Sequence, residues 1–166
     1  MASLNPQLEP RSLLVLDTNV VLDWLVFRDS GCEALGVALC NGQVQWVATT
    51  AMREELEHVL TRDTLNAWRP DAVMLWCSWD RWASIVQPLP GSPPRSPRCS
   101  DPDDQKFIDL GIQVGAGALL SRDRAVLRCA RRARALGLEI LSPAAWARQR
   151  EALTQKKGGP KAAPHA

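Results

Sequence analysis

The chain has 166 residues, of which 46% are hydrophobic and 23% are charged, so its length and composition suit one globular domain with a sizeable core. Its formal net charge of +2 is too small to indicate a nucleic-acid-binding protein by itself, although it excludes no partner. The five cysteines include no C-x-x-C pair, which argues against a disulfide framework and a zinc knuckle and favours a reducing cytoplasm.

Four short apolar runs predict β-strands. The first, SLLVLD at 12–17, is continuous and ends on an acid, which is typical of a strand buried on both faces in a parallel sheet. The other three are VQWVATT at 44–50, GALLSRD at 117–123, again ending on an acid, and LEILS at 138–142.

Helical patterns separate and follow these strands, at about 19–27, 31–41, 50–62, 69–86, 102–115, 124–136 and 143–152. The alternation of strands and helices indicates βαβ units. We therefore expect an α/β fold with a parallel sheet and helices on both of its faces.

The remaining segments predict the limits of the domain. We expect a flexible lead-in at 1–11, one domain at 12–150 and a disordered basic tail at 151–166. Within the domain, the proline-rich loop at 87–100 contains five prolines, and a simple connector is favoured over a rim or gate beside a site. No apolar run approaches the roughly 20 residues that span a bilayer, so we expect no membrane partner.

Three tryptophans, Trp76, Trp79 and Trp82, lie three residues apart on a predicted helix. Such a stripe could stack nucleobases. Spacing at a helical period is more often packing, or the contact face of a homodimer, and we favour that interpretation.

The stretch SDPDDQKFIDL at 100–110 predicts a helix start with more acids than a start requires. Asp101 suits the N-cap position, and acids in the first turn favour the helix dipole. At 100° per residue, however, Asp104 shares a face with Phe107 and Ile108, so it points towards the sheet. A buried carboxylate is unfavourable unless it is paired or binds a cation.

The same test separates the glutamates of TTAMREELEHVL, the run at 49–60. Glu54 and Glu57 fall outside the apolar stripe of this predicted helix, whereas Glu55 falls within it. One glutamate of the three is therefore expected to point inward.

The inward acids and two strand-end acids are expected at one edge of the sheet. Asp17 ends the first strand and Asp123 follows the third, and ligands of parallel sheets bind beyond the carboxyl ends of the strands. Together with Glu55 and Asp104, they would repel one another unless a divalent metal neutralised them, and oxygen ligands favour Mg²⁺ or Mn²⁺. Two alternatives stay open, because Asp17 suits a turn and Asp123 suits a helix N-cap.

At this point the residues show a family resemblance. The segments LLVLDTNVVLDWL, TTAMREELEHVL, SDPDDQKFIDLGIQVGAGALLSRDRAVL and LEILSPAAW together resemble a PIN domain, in particular the bacterial toxin branch. The resemblance covers residues from about 12 to 147. It implies a three-layer α/β/α sandwich with a central, mostly parallel sheet. It also implies hydrolysis of single-stranded RNA that depends on Mg²⁺ or Mn²⁺.

The resemblance also assigns roles to residues. The acidic set of the family falls on the four acids already selected by direction: Asp17, Glu55, Asp104 and Asp123. The small hydroxyl beside the fourth acid falls on Ser121, and the asparagine that would orient Asp17 falls on Asn19. Arg122 and Arg124 could hold phosphates, although arginines on a solvated helix would look the same.

The leading hypothesis is a cytoplasmic, metal-dependent endoribonuclease, with RNA as substrate and a cognate antitoxin as a candidate partner. The alternative is a non-catalytic PIN-fold module that binds nucleic acid or protein. A phosphatase with a carboxylate nucleophile is disfavoured, because the first strand lacks the D-x-D-x-T motif that such chemistry requires.

Overall fold

Residues 12–68 and 70–157 are described by the computed structural model of the chain. One five-stranded sheet forms its centre, in the order β3-β2-β1-β4-β5, and every neighbouring pair of strands is parallel. The strands are β1 Ser12–Leu16, β2 Val44–Ala48, β3 Ala83–Ile85, β4 Ala118–Leu120 and β5 Glu139–Leu141. The predicted α/β class, a three-layer sandwich around a parallel sheet, is confirmed.

The helices that cover the sheet are α1 Thr18–Leu25, α2 Glu33–Cys40, α3 Thr50–Leu60, α4 Ala72–Trp82, α5 Gln105–Gln113, α6 Arg124–Leu127, α7 Ala130–Arg134 and α8 Pro143–Lys157. Short 3-10 helices lie at Ser30–Cys32, Asp63–Trp68 and Pro102–Asp104. In the part of the chain that the structure describes, no helix is both long enough and apolar enough to cross a membrane.

The strand order reverses between β1 and β4. The chain leaves β1 towards β2 on one side, and it leaves β4 towards β5 on the other. In open parallel sheets such a reversal opens a crevice beyond the carboxyl ends of the two central strands, and ligands bind there. The segments that follow β1 and β4 therefore border the position where a site is expected.

Buried aliphatic residues of β1 and β4 form the centre of the core, and a tryptophan cluster extends it beneath α4. Trp46 and Trp79 are both almost fully buried and meet edge to face, with ring centroids 4.7 Å apart. The ring centroids of Trp76 and Trp79 are 6.1 Å apart. The Arg53 guanidinium lies over the Trp76 ring, with its Cζ 4.2 Å from the ring centroid. This part of the tryptophan stripe therefore packs within the domain.

Several predicted segments differ from the observed ones. The predicted helix at 69–86 ends early, at Trp82, because Ala83–Ile85 pair with β2 as β3. The predicted helix at 124–136 is divided into α6 and α7. Helix α8 continues through 151–157, so this portion of the predicted disordered tail is helical instead. The predicted lead-in at 1–11 and the end of the tail at 158–166 lie outside the described residues.

Candidate active site

Asp17 lies where β1 ends and caps α1. Its Oδ1 accepts a hydrogen bond from the backbone N–H of Asn19 at 3.4 Å, and its Oδ2 accepts one from Ser121 Oγ at 2.6 Å. The residue is only 2% exposed. Burial raises its pKa and outweighs these two hydrogen bonds, which lower it, while the nearby Glu55 and Asp123 carboxylates raise it further.

Ser121 joins the ends of β1 and β4. It is fully buried, and while its hydroxyl donates to Asp17, its oxygen accepts a hydrogen bond from the backbone N–H of Asp123 at 3.0 Å. Asp123 in turn caps α6, since its Oδ1 accepts from the backbone N–H of Ala125 at 2.6 Å. Asp123 therefore has the helix-capping role that the sequence left open. Capping does not prevent it from also binding a ligand, because Asp123 borders the same cavity as Asp17.

Glu55 reaches the cavity from α3. Its side chain is 29% exposed and forms an ion pair with Lys106 of α5, whereas Glu54 and Glu57 are exposed. The paired oxygen, Oε2, is buried and receives no hydrogen bond of good geometry from the described residues. The ammonium of Lys106 therefore offsets its charge without fully satisfying the oxygen as an acceptor.

Asp104 closes the 3-10 turn that leads into α5. Asp101 caps this turn, the structural role predicted for it, by accepting a hydrogen bond from the backbone N–H of Asp103 at 3.0 Å. Burial, followed by repulsion from neighbouring carboxylates, raises the pKa of Asp104 from 3.8 to about 7. The carboxylates responsible are those of Asp17, Asp101, Asp123 and Glu55.

All four acids line one cavity of about 700 Å³, named here the acid cavity, and the exposed acids Glu54, Asp101 and Asp103 also border it. Three basic side chains that the sequence analysis did not select also line it: His58, Arg62 and Lys106. His58 and Arg62 follow Glu55 by three and seven residues, so all three lie on one face of α3 and its C-terminal extension. This spacing could have identified His58 and Arg62 from the sequence. Lys106 was not recognisable, because its approach to Glu55 depends on the packing of α5 against α3.

Two of the supporting predictions need correction. Neither Arg122 nor Arg124 is among the described residues that line the acid cavity. Arg122 instead binds Asp29 through two hydrogen bonds of 2.9 and 3.2 Å and pairs with Asp23 at 3.2 Å, so its guanidinium is already occupied. Asn19 contacts Asp17 through its backbone N–H and has an exposed side chain, so orientation of Asp17 does not require the amide group.

The four carboxylates border one cavity without forming a metal-binding cluster in the described residues. Across residues 12–68 and 70–157, no group of three or more histidine, cysteine, aspartate or glutamate side chains is arranged to hold one metal ion. The metal-binding role of the four acids therefore stays a prediction. Bare carboxylates repel one another, and oxygens of Asp17, Asp123 and Glu55 are engaged by nearby donors or by Lys106.

The donor set nevertheless fits a divalent cation. It consists of carboxylate oxygens, the ligands that Mg²⁺ and Mn²⁺ favour. Glu55 Oε2 is buried, with the Lys106 ammonium beside it but no hydrogen bond of good geometry, and the pKa values of Asp17 and Asp104 are raised first by burial and then by the negative charge of neighbouring carboxylates. A cation bound among these oxygens would offset that charge.

Comparison with known families identifies the chain. The sequence model described as the PIN domain matches residues 13–125, a range that includes all four acids. The chain belongs to the PIN domain family. No curated protein matches the sequence significantly. PIN domains typically are nucleases and generally use divalent metal ions, so this PIN domain has a nuclease-like fold with its acids at the sheet reversal.

Proposed function

We propose that this PIN domain is a Mg²⁺- or Mn²⁺-dependent endoribonuclease that hydrolyses phosphodiester bonds of single-stranded RNA. The observation that carries the proposal is the shared acid cavity, because the N-cap residues of α1, α5 and α6 and the mid-helix Glu55 of α3 each present a carboxylate to it. Structural caps alone would explain Asp17 and Asp123. They would not explain the inward placement of Glu55 and Asp104.

The metal would be held by Asp17, Glu55, Asp104 and Asp123. When bound, it acidifies water and offsets the charge that develops on the phosphate. Ser121 fixes the Asp17 carboxylate through its 2.6 Å hydrogen bond, which limits how far this ligand can move. One of these carboxylates would help to remove the proton from the attacking water.

The basic residues of the cavity supply the substrate contacts in this proposal. Lys106, His58 and Arg62 lie around the acids, whereas the arginines of α6 and α7 lie elsewhere. Lys106 and Arg62 would bind the RNA backbone by charge and His58 by a hydrogen bond, without reading the base sequence. Lys106 would exchange Glu55 for a phosphate oxygen once a metal takes over the carboxylate.

The biological role remains part of the proposal. A toxin function, a cognate antitoxin partner and a cytoplasmic location are supported by the family resemblance and the composition. Assembly as a homodimer rested on the tryptophan stripe, of which Trp76 and Trp79 pack within the domain, and it stays a prediction. The alternative is a PIN-fold module that binds RNA without cutting it. The Lys106–Glu55 ion pair favours this alternative, because it occupies one of the acids that a metal would require.

A nuclease assay tests the proposal directly. Labelled single-stranded RNA is incubated with the protein in Mg²⁺, in Mn²⁺ and in excess chelator. We expect cleavage with either metal, none with chelator, and loss of at least about a hundredfold in rate for Glu55→Gln. Glu57→Gln, an exposed glutamate of the same helix, is the matched control and should cut like the parent. Binding without cleavage by the parent protein would support the non-catalytic module.

A further inference from the structure

A second cavity adjoins the acid cavity along the same edge of the sheet. It has a volume of about 300 Å³ and lies between the start of α3, helix α5 and the proline-rich loop. Ala51 and Lys106 line both cavities, so the two spaces meet at these residues. A ligand that reaches the acids can therefore extend into the second cavity, named here the loop cavity.

The loop cavity has an apolar floor and an apolar outer wall. Met52 and Leu110 form the floor and are almost fully buried, while Pro88 and Leu89 contribute the wall from the loop. Lys106 is the cation at its border with the acid cavity. The lining also includes polar side chains, those of Thr49, Ser92, Gln105, Asp109 and Gln113. A cavity with an apolar floor, polar groups and a neighbouring ammonium group is suited to a flat, uncharged ring system joined to an anion.

The wall of the loop cavity is held in place by one face of α5. Asp109 accepts hydrogen bonds from Ser92 and Ser96, both at 2.6 Å. One turn further on, Gln113 accepts from the backbone N–H of Leu89 at 3.1 Å and donates to its carbonyl at 3.1 Å. One turn before Asp109, Gln105 accepts from the loop backbone at 2.8 Å and donates to Asp109 at 2.9 Å. A loop that only connects two elements does not need these hydrogen bonds. A wall that is already ordered reduces the conformational entropy lost when a ligand binds.

We propose that the loop cavity is a subsite for the nucleoside next to the phosphate that lies at the acids, with Lys106 contacting the phosphate that links them. This inference rests on the proposed ribonuclease function, because the acid cavity supplies the position of the scissile phosphate. The loop cavity then determines how the RNA strand lies across the sheet edge. It also gives the proline-rich loop a role in substrate binding that a connector would lack.

Leu89 is the residue with which the subsite can be tested. Its side chain is 69% exposed, and the loop is held through its backbone atoms, so a side-chain substitution leaves both hydrogen bonds to Gln113 available. Val73 of α4 is a matched control, since it is 73% exposed and belongs to neither cavity lining. Leu89→Asp and Val73→Asp therefore introduce the same charge into similarly exposed aliphatic positions.

The experiment measures binding without cleavage. Each substitution is placed in the Asp104→Asn protein, and a fluorescein-labelled single-stranded RNA of eight nucleotides is titrated in Mg²⁺ by anisotropy. We expect Leu89→Asp to raise Kd about tenfold, because it removes apolar contact and repels phosphate, and Val73→Asp to leave Kd within about twofold. Leu89→Trp should lower Kd about fivefold by adding a ring on which a base can stack.

The outcomes separate this inference from the ribonuclease proposal. Equal Kd values for Leu89→Asp and Val73→Asp, or no binding of the RNA by the Asp104→Asn protein, overturn the subsite. The ribonuclease proposal survives either result if the parent protein cuts RNA. A selective loss of binding in Leu89→Asp, with no cleavage by the parent in Mg²⁺ or Mn²⁺, supports the subsite and overturns the ribonuclease.

Discussion

Ser121 donates a hydrogen bond to Asp17 across the ends of two neighbouring strands, with 2.6 Å between Oγ and Oδ2. The two residues are 104 positions apart in the chain, and both are almost fully buried. The bond gives a buried carboxylate a partner at the sheet reversal, where β1 and β4 lie side by side. It thus joins the stability of the fold to the placement of a proposed metal ligand.

Removal of this hydroxyl should affect both properties. In Ser121→Ala the Asp17 carboxylate loses its side-chain donor and keeps only the backbone N–H of Asn19 while it stays buried, so the free energy of unfolding should fall by about 1–3 kcal/mol. Urea denaturation at pH 7 measures the change. Ser78→Ala is the control, because its hydroxyl donates only to the carbonyl of Met74 on the same helix, and it should cost much less. An equal loss of unfolding free energy in the two variants would mean that the Ser121–Asp17 hydrogen bond stabilises the fold no more than an exposed serine hydrogen bond does.

The raised pKa of Asp104 predicts a pH-dependent stability. The raised pKa means that the folded protein holds the Asp104 proton up to about pH 7, whereas the unfolded chain releases it near the ordinary aspartate value of 3.8. Between these values the folded state binds more protons, so this residue makes the protein less stable as pH rises through that window. Asp104→Asn should therefore melt about 3 °C above the parent in chelator at pH 8, and the gap should close towards pH 4.

Thermal melts at pH 4, 6 and 8 measure this gap, with Glu57→Gln as the control that should track the parent at every pH. An Asp104→Asn protein that melts well below the parent at pH 8 would show that the carboxylate mainly supports the fold. It would also remove Asp104 from the proposed metal site.

Metal binding should stabilise the folded protein. A ligand that binds the folded state alone contributes about 2.7 kcal/mol at a hundredfold excess over Kd, which raises Tm by roughly 5 °C or more for a domain of this size. Mn²⁺ should act at lower concentration than Mg²⁺, since carboxylate sites usually bind it more tightly. The shift should disappear in Asp17→Asn and persist in Glu57→Gln, as measured by melts across a metal titration. The same shift in both variants would indicate nonspecific ion binding.

Lys106 should compete with metal for Glu55. In Lys106→Met the buried Glu55 oxygen loses its cationic neighbour, so the metal-free protein should be less stable by about 1 kcal/mol. Added Mn²⁺ should then stabilise the variant more than it stabilises the parent, because the ion takes over the charge of Glu55. The comparison is the rise in Tm from chelator to saturating Mn²⁺.

Arg53→Met provides the control for Lys106, since both side chains are 32% exposed and Arg53 pairs with the outward Glu57. Its rise in Tm with Mn²⁺ should equal that of the parent. A rise in Lys106→Met no larger than the parent's would mean that Lys106 does not compete with the metal.

The sequence by itself determined the parts of this protein that depend on local pattern. Continuous apolar runs predicted four of the five strands, and the alternation with helices predicted the parallel sheet. Helical phase separated the inward Glu55 from the exposed Glu54 and Glu57, and it placed Asp104 towards the other acids. Such patterns are readable because a helix or strand repeats its direction every few residues, whatever it packs against.

Only the tertiary structure decided which distant groups meet. Strand β3 is only three residues long, and it forms because it pairs with β2. So short a segment carries no strand pattern of its own, and its sequence therefore predicts the end of a helix. Arg122 binds Asp29, and Lys106 binds Glu55, because helix packing brings together residues far apart in the chain. The loop cavity arises in the same way, from side chains of α5 that hold the proline-rich loop. These contacts depend on long-range packing, and no local period in the sequence encodes that packing.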